Sequence, residues 1–193
     1  RRRRSGLNFG RRKKKVNMTI VKEILSWTAE ILITLVIAFT FVYFIGLRTS
    51  VVGQSMSETL QSGDEILVNR FIYKVSDPKP NDIIVFLPNG NEKSHYYVKR
   101  VIAVPGDTVL IQNGAVYVNG ELFDEKVDVS AIEEAGLASE ELKLEDDEYF
   151  VLGDNRNNSE DSRFSNVGNV KYSAIIGRIW AVSAPFGRMG LVK

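Results

Sequence analysis

Three short segments of this 193-residue chain carry side chains that could do chemistry together. The first contains Ser55, the second contains Lys99, and the third runs from Gly153 to Arg163 with hydroxyl, carboxylate and guanidinium groups close together. A serine hydroxyl is a weak nucleophile unless a base removes its proton, and a neutral lysine can be that base. The sequence therefore predicts a serine and lysine pair supported by a polar loop.

Lys99 lies in an alternating stretch that is typical of a strand. Strand periodicity places its side chain on the same face as Tyr97, Val101 and Ala103. Burial on that apolar face would disfavour the ammonium form and lower the pKa of Lys99 from about 10.4. The pattern also fits a lysine whose stem lies along the sheet while its amine reaches water, and the strand pattern alone favours this second interpretation.

The other polar side chains leave alternatives open. His95 could belong to a Ser-His-Asp triad, but it lies in a polar turn at the start of the predicted strand, where a surface histidine is expected. Asp161 and Arg163 could form a charge-assisted pair, and Ser159 could orient the base. A surface turn held by Asx hydrogen bonds would have the same composition.

Short apolar runs separated by turn residues must position these side chains. Asn113-Gly114 and Asn119-Gly120 are hairpin signals, because both turn positions need positive φ. The acidic segment 124–148 predicts a solvated insertion, with a short helix over 130–143. Together, these runs and turns predict a mainly β domain over residues 49–193. Its predicted strands are 65–71, 82–87, 96–104, 108–111, 115–118, 149–152 and 174–182.

A basic segment and an apolar run precede this domain. Ten Lys and Arg residues lie before the run, against Glu23 and Glu30, whereas the chain from Thr49 onward has 14 basic and 22 acidic side chains. The run 31–47 is uncharged, and as a helix with its preceding residues it would approach the roughly 30 Å thickness of bilayer hydrocarbon. We predict a transmembrane anchor over 23–48 rather than a signal peptide, because the run is long and does not end in small residues.

Charge and composition limit the partners and the chemistry. The positive-inside rule predicts a cell-membrane protein with a single span, a cytoplasmic tail over 1–22 and an extracytoplasmic catalytic domain. Beside a span, the basic tail indicates orientation in a lipid bilayer and not nucleic-acid binding. There is no cysteine and only one histidine, which excludes thiol chemistry and a structural zinc site. We therefore predict chemistry that needs no metal or other cofactor.

The three segments, in this order after one apolar run, resemble type I signal peptidases. The match extends from about Arg48 to the carboxyl end, and a single predicted span with compact size resembles the enzymes of Gram-positive bacteria. The motifs that carry it are Ser55-Met56, then Lys99-Arg100-Val101-Ile102-Ala103-Val104-Pro105-Gly106-Asp107, then Gly153-Asp154-Asn155-Arg156 through Asp161-Ser162-Arg163.

The resemblance implies a role for each matching residue. Ser55 would be the nucleophile, its backbone N–H would hold the oxyanion, and Lys99 would be the general base. Ser159 would hydrogen-bond to the lysine, while Asp161 and Arg163 would support the site. The fold implied is a signal-peptidase-like β-rich domain after one transmembrane helix.

The resemblance also implies the substrates, which are exported preproteins cut after small residues. The peptide would bind as an added strand, with its small side chains in shallow apolar pockets. The positions that match the family's pockets are Met56, Leu60, Tyr97 and Val98.

Two positions depart from the family pattern. Gly53 stands where some members have a serine that helps to hold the oxyanion, and Glu58 stands where the family commonly has a proline, which would fix φ near −65°. Two other functions remain open. A self-cleaving repressor-type protease would share this chemistry but not the predicted span, and a non-catalytic anchored β-domain would bind exported peptides without cutting them.

Overall fold

The computed structural model describes residues 18–45, 47–90 and 95–192, with the side chains of 41–45 and 89 outside that description. The chain divides into two compact units, residues 1–40 and 41–193, which are described separately. Most of the predicted basic tail over 1–22 lies outside the described residues.

Most of the helix α1, Met18–Ile45, lies in the first unit, and the helix covers most of the predicted anchor. Its described apolar side chains are exposed except that of Val21, and the exposed ones include Ile24, Leu32, Val36 and Phe39. Within residues 18–45, 47–90 and 95–192, no helix has the combination of length and apolarity needed to cross a membrane.

The second unit is mainly β, as predicted. Its larger sheet has the strand order β1-β2-β11-β3-β4-β9-β10, with β12 paired to β11, and its smaller sheet has the order β7-β6-β5-β8. The strands are β1 Leu47–Ser50, β2 Glu65–Asn69, β3 Ile83–Phe86, β4 Tyr97–Ala103, β5 Thr108–Gln112, β6 Ala115–Val118, β7 Glu121–Leu122, β8 Leu142–Lys143, β9 Glu148–Leu152, β10 Val170–Lys171, β11 Ile175–Ala184 and β12 Gly190–Leu191.

All seven predicted strands are present, with ends that differ by at most two residues. Both Asn-Gly pairs also form the predicted turns, since Asn113, Gly114, Asn119 and Gly120 all have positive φ. The shorter strands, β7, β8, β10 and β12, were not predicted because a pair of residues has no measurable periodicity. The strand β1 was also not predicted. It pairs antiparallel with β2, with Ser50 opposite Glu65.

The acidic segment 124–148 differs from the prediction. The expected helix over 130–143 is wrong, since this range contains a 3-10 helix, Gly136–Ser139, and the strand β8 but no α-helix. Gly136 has φ +56, a left-handed conformation that an α-helix cannot contain. The segment is also not a purely solvated insertion, because Ile132, Ala138 and Leu144 lie in a buried cluster.

The large sheet separates two of the three apolar clusters, and the strand β4 contributes to both of its faces. Val98 packs at the cluster that contains Val85 and Met56. Tyr97 and Val101 belong with the cluster on the opposite face, which also contains Phe86. Lys99 therefore projects from the same face as Tyr97 and Val101, as strand alternation predicts.

Candidate active site

The loop between β1 and β2, residues 51–64, holds Ser55, and we call it the nucleophile loop. Val51 and Asp64 close its base through a backbone hydrogen bond of 2.8 Å. Gly53 has φ +92, which a residue with a side chain adopts only with strain. Ser55 itself is partly exposed, so its hydroxyl is accessible to a substrate.

Lys99 reaches Ser55 from β4. Its Nζ atom lies 2.6 Å from Oγ of Ser55, and the residue is only 4% exposed. Burial lowers the pKa of Lys99 to about 8, although the carboxylates of Asp161 and Glu160 act in the opposite direction. The amine can therefore lose its proton near neutral pH while it stays within hydrogen-bond distance of the hydroxyl.

The loop after β9, residues 153–163, is hydrogen-bonded to the nucleophile loop, and we call it the supporting loop. The backbone N–H of Asn155 donates to the carbonyl oxygen of Ser55 at 3.0 Å. The Asn155 side-chain amide donates to the carbonyl of Gln54 and to the hydroxyl of Ser57, both at 3.0 Å. One residue thus fixes the backbone on both sides of the nucleophile.

Gly153 lets the two loops approach each other. A Cβ atom at this position would collide with the side chain of Ser159 and with the carbonyl oxygen of Ser55. Ser159 Oγ is buried beside this glycine and has no hydrogen-bond partner among the described residues. The hydrogen bond from Lys99 to Ser159 that the resemblance implies is therefore not formed here, because the amine is directed to Ser55.

Asp161 and Arg163 form the predicted ion pair. The guanidinium of Arg163 donates to both carboxylate oxygens of Asp161, at 2.8 and 2.9 Å, and both side chains are buried. Asp161 also accepts the backbone N–H of Gly153 at 3.1 Å. The pair therefore fixes the start of the supporting loop, next to the Lys99 amine.

A second buried ion pair was missed in the sequence. Arg100 is fully buried and donates to both oxygens of Asp154 at 2.8 Å, while the hydroxyl of Thr59 donates to the same carboxylate at 2.5 Å. This cluster joins β4, the supporting loop and the nucleophile loop. Strand alternation could have indicated it, because an arginine next to Lys99 faces the other apolar side and needs a buried anion.

The remaining predicted site residues are placed in different surroundings. Tyr97 and Val98 are partly exposed on β4, and the Lys99 amine lies 5.6 Å from the Tyr97 ring centroid. Met56 and Leu60 are buried in the core, so they support the loop from beneath. Their role in substrate pockets stays a prediction.

His95 and Glu58 are both exposed. His95 precedes β4, away from the hydrogen bonds just described. With Glu58 in place of the family's proline, the nucleophile loop still turns tightly, and the N–H groups of Thr59 and Leu60 both donate to the carbonyl of Met56. Across the described part of the chain, no cluster of His, Asp and Glu side chains is arranged to hold a metal ion.

Comparison with known proteins identifies what this chain is similar to. Residues 24–184 match the family model described as signal peptidase, peptidase S26. Signal peptidase I P of Bacillus subtilis subsp. natto is 35% identical over 181 residues, which cover 88% of this chain and 94% of that protein. Probable signal peptidase I-2 of Synechocystis is 37% identical over 159 residues, covering 77% of this chain and 70% of that protein. The crystal structure of a signal peptidase I from Enterococcus faecalis is 30% identical with a TM-score of 0.41, and the likeness covers 54% of this chain and 97% of that one.

Proposed function

The chain belongs to the signal peptidase family, peptidase S26, and from that premise we propose that it is a membrane-anchored serine endopeptidase that removes signal peptides from exported preproteins. The observation that carries the proposal is the 2.6 Å approach of Lys99 Nζ to Ser55 Oγ. A buried amine at that distance from a partly exposed hydroxyl is the arrangement that general-base activation of a serine requires.

The first half of the reaction uses Lys99 as a base. The neutral amine takes the proton of the Ser55 hydroxyl while Oγ attacks the carbonyl carbon of the scissile peptide bond. Negative charge then develops on the carbonyl oxygen, and the backbone N–H of Ser55 donates a hydrogen bond to it. With glycine at position 53, no hydroxyl from that residue adds a second donor.

The second half returns the site to its starting state. The ammonium group of Lys99 gives its proton to the leaving amine, so that the peptide bond breaks and an ester to Ser55 remains. Lys99, now neutral, takes a proton from a water molecule, whose oxygen attacks the ester carbonyl. Release of the acid returns the proton from Lys99 to Ser55 Oγ.

The preprotein would bind in an extended form next to β4. Tyr97 and Val98 immediately precede Lys99 and are partly exposed, so a peptide added along this strand would place its side chains against them. Small side chains before the cut bond would suit the shallow apolar surface that these residues offer.

We further propose that α1 attaches the enzyme to the lipid bilayer, with the catalytic unit on the extracytoplasmic side. Two features support this. Nearly all of the described apolar side chains of α1 are exposed, and this exposure would be unfavourable in water. The Lys and Arg residues before the helix are those that the positive-inside rule retains in the cytoplasm.

Preprotein cleavage by the purified full chain in detergent tests the catalytic proposal. We expect Ser55→Ala and Lys99→Ala to abolish cleavage, because each removes one half of the reacting pair. Ser62→Ala, which changes an exposed serine in the same loop, and His95→Ala should both retain it. Full cleavage by Ser55→Ala would contradict the serine mechanism, and loss of cleavage in His95→Ala would favour the triad.

A further inference from the structure

The acidic insertion, residues 124–148, is joined to the supporting loop by a bidentate ion pair. Glu125 accepts hydrogen bonds from both terminal nitrogens of Arg156, at 2.7 and 2.8 Å. The Arg156 side chain is 2% exposed and that of Glu125 is 25% exposed. A bidentate pair of this kind fixes both the distance and the orientation of the two segments.

Arg156 connects this pair to the site. Its carbonyl oxygen accepts a hydrogen bond from Arg163 at 2.5 Å, and Arg163 in turn forms the buried pair with Asp161. Asp161 accepts the N–H of Gly153, the residue packed against Ser55 and Ser159. Every link from Glu125 to the nucleophile loop is therefore a direct contact.

The insertion holds the supporting loop at further points. The side-chain amide of Asn157 donates to the carbonyl of Ala131, and its oxygen accepts the N–H of Glu133, both at 3.0 Å. The Arg163 backbone carbonyl accepts the N–H of Leu137 at 2.8 Å. These bonds use backbone groups of the insertion, whereas the Glu125 pair alone supplies a charge.

The charge of Glu125 is important because Arg156 is buried. Among the described residues, Glu125 is the partner in the only ion pair that Arg156 forms, and Nε of Arg156 has no hydrogen-bond partner. A buried guanidinium left without its anion is strongly unfavourable, so the loop would move to expose it to water.

We propose that the acidic insertion is a strap that holds the supporting loop against the nucleophile loop, and that Glu125 is its positioning residue. This rests on the proposed function, because the geometry that the strap maintains is that of Ser55 and Lys99. Glu125 touches neither of them and acts through Arg156, Arg163 and Asp161.

Neutralising Glu125 should have two effects in the full chain. As Arg156 moves toward water the supporting loop loosens, so kcat should fall about ten- to a hundredfold with little change in KM. Water that reaches Lys99 reduces its desolvation and raises its pKa, so the acidic limb of the pH profile of kcat/KM should move to higher pH.

The test compares Glu125→Gln with Glu141→Gln, which removes the same charge from an exposed position in the same insertion. Preprotein cleavage gives kcat, KM and the pH profile, and amide hydrogen exchange over residues 153–163 reports the loop without using activity. We expect faster exchange, lower kcat and the shifted limb in Glu125→Gln alone. Glu125→Asp, which keeps the charge but shortens the side chain, should be intermediate, and it provides the same readouts if the glutamine variant does not fold.

A folded Glu125 variant with wild-type exchange and an unmoved pH profile would overturn the proposal. So would an equal change in Glu141→Gln. If the wild-type chain cleaves no preprotein, the proposed function fails, but hydrogen exchange still decides whether Glu125 holds the loop.

Discussion

Among the single residues, the proposed chemistry depends most on the amine of Lys99, which is buried. Burial makes the neutral form accessible near physiological pH, while the nearby carboxylates of Asp161 and Glu160 limit how far the pKa falls. These opposing effects keep the amine basic enough to take a hydroxyl proton. A base with a much lower pKa would be neutral more often but would accept that proton less readily.

The pH profile should follow this lysine. Because the pKa of Lys99 is lowered to about 8, kcat/KM should rise with pH and reach half its maximum near that value. A catalytic histidine would instead place the half-maximum near pH 6.5. The measurement is preprotein cleavage across pH 5–10, a range chosen to include both values.

Glu160→Gln provides the matched variant for that profile. Glu160 is exposed and raises the pKa of Lys99, so its neutralisation should move the half-maximum to lower pH. Glu121→Gln in β7, an exposed glutamate in the smaller sheet, should leave the profile unmoved. A half-maximum near pH 6.5 in the wild type would contradict Lys99 as the base.

At the scale of elements, the strands could be predicted and the contacts between loops could not. The seven predicted strands have apolar runs that end at turn residues, and the Asn-Gly turns need conformations that few other pairs adopt. The place of Arg156 and Glu125 depends on long-range pairing that no local pattern contains. The mistaken helix in the insertion shows the same limit. The backbone conformation of Gly136 fits its close contact with Arg163 and not the local helix propensity.

For the candidate site, the sequence predicted the residue types but not their surroundings. Strand alternation placed Lys99 on an apolar face, yet it could not show that the amine stays out of water. The carboxylates that act on the amine, Asp161 and Glu160, belong to the supporting loop, which is distant in sequence. Arg100 was missed for a related reason, since its partner Asp154 belongs to another motif.

Removing one partner of the buried Arg100–Asp154 pair should destabilise the domain strongly. Asp154→Ala leaves a fully buried guanidinium without its anion and also removes the acceptor of Thr59, so we expect a loss of about 3–5 kcal/mol in the free energy of unfolding. Urea unfolding in detergent measures it. Glu65→Ala, which breaks the exposed pair with Arg48, should have a much smaller effect, and equal losses would contradict the argument from burial.

At the scale of the whole molecule, the two ends of the chain differ in charge and in exposed apolar surface. The basic residues cluster before α1, whereas acidic side chains predominate in the chain from Thr49 onward. An acidic catalytic domain is repelled by anionic lipid, so charge alone would not keep it at a membrane. Attachment would then depend on the apolar surface of α1.

Membrane attachment should therefore be insensitive to salt and sensitive to charge within α1. We expect the full chain to remain with liposomes in high salt and at alkaline pH, because burial of apolar surface is not screened by ions. Replacing Leu32 and Val36 together with arginine should release it. The control is Leu122→Arg, an exposed apolar residue of β7, and release of the wild type by salt alone would contradict the proposal.

Because Asn155 fixes the nucleophile loop, the point in synthesis at which Asn155 is made should decide when the enzyme becomes active. Its side chain bonds to Gln54, 101 residues earlier in the chain. A growing polypeptide that has passed Lys99 already carries the proposed nucleophile and base, but it does not yet carry Asn155, which holds the carbonyl groups of Gln54 and Ser55. An unfinished chain should thus be unable to cut proteins that emerge beside it, and competence should arrive only when the supporting loop has been made.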